Sequence, residues 1–184
     1  MKERTFTYGE TALLTPANIL TLIRLVVTPV FIWLIVSQGA TWTTTAVGFC
    51  AAMSDYFDGI VARRQGTTRS GAFLDPLADK VVVLGSMYTL VYEHYHWWLP
   101  VVIITLREVW MTWYRSVMSK RGVSIPAGAL PKIKTMVQDL AIALCVIPWT
   151  TNIHWLAVVT MWSAVALTII TGWQYYQGGR KASA

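Results

Sequence analysis

Charge is scarce in this sequence. Lys, Arg, Asp and Glu supply 13% of its 184 residues, while hydrophobic residues supply 55%, about half the charge fraction of a typical soluble domain. A water-soluble chain of this length needs more charge to cover its surface, so the composition excludes an ordinary soluble domain and favours a membrane domain. The net charge of +6 is spread in small groups between apolar runs. There is no extended basic arm and no nucleic-acid motif, which removes nucleic acid as a partner. Cysteine is limited to Cys50 and Cys145, both in apolar segments; they read as buried free thiols and say little about redox compartment. Internal repeats and low-complexity linkers are also missing, so no second domain is expected. The first 17 residues lack an apolar core followed by a cleavage site, and no removable leader is expected.

What the sequence does have is apolar length. Six stretches, at 19–36, 44–61, 72–92, 98–118, 133–149 and 155–176, approach the roughly 20 residues a membrane helix needs. Short connections at 37–42 and 149–154 make sequential helices antiparallel neighbours in one compact bundle. The expected organisation is an N-terminal segment over 1–17, a single six-helix membrane domain over 18–177 and a tail over 178–184. Lys and Arg fall almost entirely on one side of that arrangement, and the three opposite connections contain neither. The positive-inside rule therefore places both termini and the long polar connections in the cytoplasm. Trp97, Trp98, Trp149 and Trp155 fit the opposite interfacial belt.

The remaining charge is concentrated. The stretch DYFDGIVARRQGTTRSGAFLDPLADK, residues 55–80, holds four of the chain's nine acidic residues. Asp55 and Asp58 are three apart at the end of the second span, and Asp75 and Asp79 are four apart at the start of the third. Each pair shares a helix face. If the connection folds the two helices together, both pairs face one cavity. Gathered carboxylates near a membrane repel one another and are costly to desolvate. A hard divalent cation, or a pair of them, supplies the compensating charge and prefers oxygen ligands. Tetrahedral zinc is disfavoured, because neither cysteine is near and His94, His96 and His154 belong to the other side. Gly59, Ala62 and Gly71 keep the surroundings small, and Arg63 offers a donor fork suited to phosphate.

Further cations interrupt apolar segments. Arg107 and Glu108 fall near the middle of the fourth span, and intramembrane ionisable residues are functional candidates, with a structural ion pair as the alternative. Arg115 is eight residues beyond Arg107, close enough to whole turns to share its face. Arg24 interrupts the first span, where snorkelling is the simpler account, and Lys132 and Lys134 add charge at the start of the fifth. These residues suggest a membrane enzyme acting on a metal-complexed diphosphate. A prenyltransferase and an ion-coupled transporter remain open at this level.

The full pattern narrows the choice. Asp55-x-x-Asp58-Gly59-x-x-Ala62-Arg63, seven residues, then Gly71-x-x-x-Asp75-x-x-x-Asp79 resembles the signature of the CDP-alcohol phosphatidyltransferases. The interval is one residue shorter than the usual form, and every signature residue is present. The resemblance implies an all-α integral membrane protein, a six-transmembrane-helix bundle acting as a homodimer among membrane lipids, with an active site that faces the cytoplasm and two Mg²⁺ or Mn²⁺ ions. It implies metal ligation by Asp55, Asp58, Asp75 and Asp79, with Asp79 also the catalytic base, and a CDP pocket of Asp58, Gly59, Ala62, Arg63, Gly71 and Asp75. The segments NILTLIR (18–24), GAFLDPLADK (71–80), EHYH (93–96), Arg107-Glu108 and KIKT (132–135) resemble bacterial members that move a phosphatidyl group from CDP-diacylglycerol to sn-glycerol 3-phosphate. That resemblance implies a bacterial cytoplasmic-membrane enzyme, with Arg24, Arg107, Arg115, Lys132 and Lys134 around the acceptor phosphate. Sister reactions using phosphatidylglycerol, inositol phosphate or serine are the nearest alternatives.

Overall fold

The computed structural model describes residues 16–65, 71–120 and 130–183, with side chains at 19, 21–54, 77–119 and 130–180. The expected N-terminal segment before residue 16, and the connections at 66–70 and 121–129, lie outside the described residues. Within them the chain is all helical: α1 (Pro16–Gln38), α2 (Trp42–Gln65), α3 (Gly71–Tyr92), α4 (Trp98–Lys120), α5 (Leu130–Val146) and α6 (His154–Ser183).

Local chemistry sets the described ends. Proline at the first position of α1 costs no intrahelical bond. Its last turn closes when the Gly39 amide donates to the Ile35 carbonyl at 3.0 Å, with Gly39 at φ +63°, a left-handed cap that glycine adopts without strain. Thr41 caps α2, its hydroxyl accepting from the Thr44 amide at 3.2 Å. The fifth helix stops at Val146, short of the expected 149. Pro148 lacks an amide and disfavours helical backbone before it, so the chain turns through Thr150, whose amide donates to the Ile147 carbonyl at 3.1 Å. Conversely, α6 runs through Gly178 and Gly179 to Ser183, so most of the expected tail is helical; Arg180 suits the negative end of the helix dipole.

Helix α1 packs extensively against α2 and α3, and α5 against α6, while α4 rests on α6 and α3. The shared core includes Phe31, Ile35, Met87, Leu90, Val101, Ile104, Ala141, Met161 and Val165. Gly48 makes the α1–α2 crossing possible, since a Cβ there would lie 2.7 Å from the Phe31 ring. Several threonine hydroxyls are satisfied along their own helices: Thr28, Thr105 and Thr160 donate to the carbonyls of Arg24, Val101 and Leu156 at 2.7–2.8 Å.

The exterior is greasy. Val26, Trp33, Phe49, Leu106, Trp113, Met136, Val159, Ile169 and Trp173 are all exposed, the distribution expected of a surface solvated by lipid tails rather than water. Cys145 is buried as expected, but Cys50 is exposed on that exterior, because its position on α2 turns away from the core. Two described stretches, Thr21–Gln38 and His154–Arg180, are long and apolar enough by themselves to cross a bilayer. The other helices depart from that standard for visible reasons. Helix α4 carries Arg107, Glu108 and Arg115 in its interior, and α5 has 17 residues, about 25 Å at 1.5 Å each, against a hydrocarbon core of about 30 Å.

Candidate active site

Three helices bring charge to one place. Asp79 and Lys80 on α3, Arg107, Glu108 and Arg115 on α4, and Lys134 on α5 line a cavity of about 220 Å³, whose apolar wall includes Val83, Leu84, Ile104 and Met111. The helical repeat explains the gathering: Arg107, Met111 and Arg115 recur at four-residue intervals on α4, as do Lys134 and Gln138 on α5. Among the lining residues, four cations face two carboxylates. An anion is therefore the complementary ligand.

The charges are organised by shared acceptors. Glu108 Oε1 accepts from Arg107 Nη1 at 2.9 Å and from Lys134 Nζ at 2.5 Å. All three side chains are largely buried, so neither cation could stay in place cheaply without that carboxylate. Arg107 Nη2 also donates to the Thr171 hydroxyl on α6 at 2.7 Å. Lys80 donates to the Thr112 hydroxyl, which in turn donates to the Glu108 carbonyl at 2.8 Å. The Arg115 guanidinium lies 4.5 Å from the Tyr175 ring centroid, a cation–π contact that holds it without consuming its N–H donors.

Of the cations expected around an acceptor phosphate, Arg107, Arg115 and Lys134 share this cavity. Arg24 and Lys132 are not among its lining residues. Arg24 is buried on α1 and donates from Nη1 to Asp79 Oδ1 at 2.5 Å, so it meets the acid rather than the cavity wall. Snorkelling does not describe this guanidinium, which is turned inward. Lys132 is exposed, because a two-residue step from Lys134 turns it to the far side of α5. The sequence marks Glu108 as an intramembrane functional candidate or an ion-pair partner of Arg107, and the structure shows that pair; the sequence does not place Lys80 or Thr171 at a binding site. Glu108 is marked by its charge inside an apolar span, whereas nothing in the local sequence marks Thr171.

The aspartate motif occupies the C-terminal end of α2 and the N-terminal end of α3. Asp55, Asp58, Gly59, Ala62 and Arg63 lie on α2, and Gly71, Asp75 and Asp79 on α3; except for Asp79, their side chains lie outside the described residues. Helix α1 packs against both helices and fixes Asp79 through Arg24. The Asp79 side chain keeps 48% of its surface accessible, so it can reach a ligand. An all-oxygen donor set without thiol or imidazole fits a hard divalent cation. Among the described residues no three His, Cys, Asp or Glu side chains cluster.

Residues 14–170 match the family model for CDP-alcohol phosphatidyltransferase. The chain belongs to the CDP-alcohol phosphatidyltransferase family. As a member it is a membrane-bound transferase of phospholipid biosynthesis. It is 41% identical over 174 residues to the probable phosphatidylglycerophosphate synthase of Mycobacterium tuberculosis (strain ATCC 25618 / H37Rv), covering 91% of this chain and 82% of that protein. It is 38% identical over 174 residues to the CDP-diacylglycerol–glycerol-3-phosphate 3-phosphatidyltransferase of Escherichia coli (strain K12), covering 89% and 93%. The protein of the same name in Shigella flexneri gives the same identity and coverage. In this member of the family Asp79 belongs to both groups: it is the last residue of the aspartate motif and it borders the cationic cavity.

Proposed function

We propose that this protein transfers the phosphatidyl group of CDP-diacylglycerol to sn-glycerol 3-phosphate, giving phosphatidylglycerophosphate and CMP. The observation that carries the acceptor is the excess of cations beside Asp79, with Arg107, Arg115 and Lys134 on one cavity wall. Glu108 offsets one of these three positive charges, so a phosphate-bearing alcohol matches the remaining positive charge, whereas a neutral alcohol leaves it unmatched. The similarity to proteins named for this reaction supports the same reading.

The acceptor hydroxyl attacks the β-phosphorus of CDP-diacylglycerol. The new phosphorus–oxygen bond forms as the bond to the CMP oxygen breaks, and the hydroxyl proton passes to the Asp79 carboxylate. Arg107, Arg115 and Lys134 bind the acceptor phosphate and thereby fix the distance of its hydroxyl from Asp79. Arg24 acts on this step by orienting Asp79 through the Nη1 contact. Asp58, Gly59, Ala62, Arg63, Gly71 and Asp75 form the CDP pocket. Asp55, Asp58, Asp75 and Asp79 would hold two divalent ions, Mg²⁺ or Mn²⁺, which when bound neutralise the diphosphate and its leaving oxygen.

The same reading places all six helices across the bacterial cytoplasmic membrane as a single catalytic domain, with both termini and the site cytoplasmic and the functional form a homodimer. The one-sided distribution of Lys and Arg supports that orientation. Helices α4 and α5 would cross with Arg107, Glu108 and Lys134 paired and largely buried. Product mass analysis with competing acceptors tests the proposal. Purified protein supplied with Mg²⁺, CDP-diacylglycerol and equal sn-glycerol 3-phosphate, inositol phosphate, serine and phosphatidylglycerol should yield mainly phosphatidylglycerophosphate. Dominant phosphatidylserine, phosphatidylinositol phosphate or cardiolipin would overturn it.

A further inference from the structure

Arg107 is held from an unexpected direction. An arginine side chain has several freely rotating bonds, and fixing it for bidentate phosphate binding requires contacts that remove those rotations. Glu108 provides one contact, at Nη1. The second comes from α6, 64 residues further along the chain: Nη2 donates to the Thr171 hydroxyl at 2.7 Å. Thr171 is 1% exposed. Its own proton is directed to the Leu167 carbonyl at 2.8 Å and the Thr168 carbonyl at 3.1 Å, so its oxygen is oriented to accept and is not free to rotate away.

The next residue supplies space. A Cβ at Gly172 would lie 3.2 Å from Arg107 Nε and 3.7 Å from its Cγ. The arginine stem therefore lies directly against the α6 backbone at the point where the side chain is missing. Arg107 Nε is buried and has no hydrogen-bond partner among the described residues. With Nε packed on α6 and one N–H of each Nη engaged by Glu108 and Thr171, the second N–H of each Nη is the donor left to serve the cavity.

We propose that Thr171 and Gly172 form a socket on α6 that positions the Arg107 guanidinium for the acceptor phosphate. Both are positioning residues acting through Arg107. The inference rests on the reading of sn-glycerol 3-phosphate as acceptor. It makes α6, which contributes no residue to the aspartate motif, part of acceptor selection.

The test compares Thr171→Val, Thr171→Ser and Gly172→Ala in the full-length protein in detergent. Steady-state CMP release is measured against both substrates, together with calorimetric binding of sn-glycerol 3-phosphate. Thr171→Val keeps the side-chain shape but removes the acceptor oxygen. It should raise KM and Kd for sn-glycerol 3-phosphate about tenfold, the scale of one lost hydrogen bond to a charged group. KM for CDP-diacylglycerol should change less than about twofold. Thr171→Ser should restore acceptor binding, and Gly172→Ala should weaken it about threefold by displacing the guanidinium. In an Arg107→Lys background, Thr171→Val should have little further effect, since the group it positions is gone. Unchanged acceptor KM and Kd in Thr171→Val, with an active wild type, overturn the socket alone. A loss in kcat and both KM values that Thr171→Ser does not recover also overturns it, because that pattern marks a purely structural threonine. A wild type that neither binds nor uses sn-glycerol 3-phosphate overturns both the acceptor reading and the socket.

Discussion

On the Asp79 side of the bundle, six ionised side chains surround one cavity, and cations outnumber acids. At the opposite end, polar contacts are neutral and closed on themselves. Thr45 donates to the Val146 carbonyl at 2.8 Å and Thr150 to the Leu144 carbonyl at 2.7 Å. His96 Nε2 lies 3.0 Å from Cys145 Sγ, and Trp42 meets Trp149 edge to face with ring centroids 5.2 Å apart. One end leaves charge to be completed by a ligand, and the other leaves almost nothing to bind. Changes on the first side should therefore act on substrate, and changes at the second on stability.

The largest expected effect is at the acid that closes the aspartate motif. Asp79→Asn should lower turnover about a thousandfold, the scale of a lost general base, and should also lower the thermal midpoint in detergent, because it neutralises the carboxylate that faces buried Arg24; a full rate of CMP release per folded protein would remove Asp79 from that role. Glu108→Gln comes next. It replaces the charged acceptor shared by Arg107 and Lys134, so the acceptor kcat/KM should fall about a hundredfold and stability by about 3 kcal/mol. Denaturation and kinetics on one preparation would check both. Arg115→Gln, which removes a cation from the cavity wall, should raise acceptor KM about tenfold. Lys132→Gln, on the exposed side of α5, should stay within about twofold. Equal effects would mean that the cavity extends beyond the wall described above.

The other end gives the contrasting outcomes. Gly48→Ala forces a Cβ against Phe31 and should cost about 1–3 kcal/mol of stability, read as a lower unfolding midpoint with acceptor KM intact. His96 supplies the smallest effect, a pH dependence of stability. Burial holds its pKa below the ordinary 6.5, against the opposing influence of its hydrogen bond to the Ala141 backbone. The folded state therefore takes up its proton less readily than the unfolded chain. This contribution is complete above about pH 6.5 and is lost as pH falls from there toward the lower folded value. His96→Gln should flatten the acid side of the stability profile without moving acceptor KM.

The aspartate motif was readable because it is local. Its spacing of three and four converts directly into helix faces, and α2 and α3 are continuous through Asp55, Asp58, Asp75 and Asp79. The pairing of Arg107 with Arg115 was readable for the same reason, since eight residues span nearly whole turns. Arg24 was harder. A lone arginine in an apolar run has the same sequence appearance whether it snorkels, binds phosphate or meets an acid, and only the packing of α1 on α3 brings it to Asp79. Lys132 and Lys134 look equivalent in KIKT, yet a helix separates residues two apart, so one is exposed and the other is buried on Glu108.

By itself, the sequence determined the helical period, the apolar lengths, the one-sided distribution of positive charge and the spacing of the four aspartates. Each follows from interactions within a few turns or from the composition of whole segments. The tertiary structure alone decided which partners reach the buried charges from other helices. Glu108 between Arg107 and Lys134, and Thr171 against Arg107, depend on α5 and α6 approaching α4. Lys134 is compensated only because Glu108 reaches it from another helix, and that proximity is a property of packing, not of spacing along the chain.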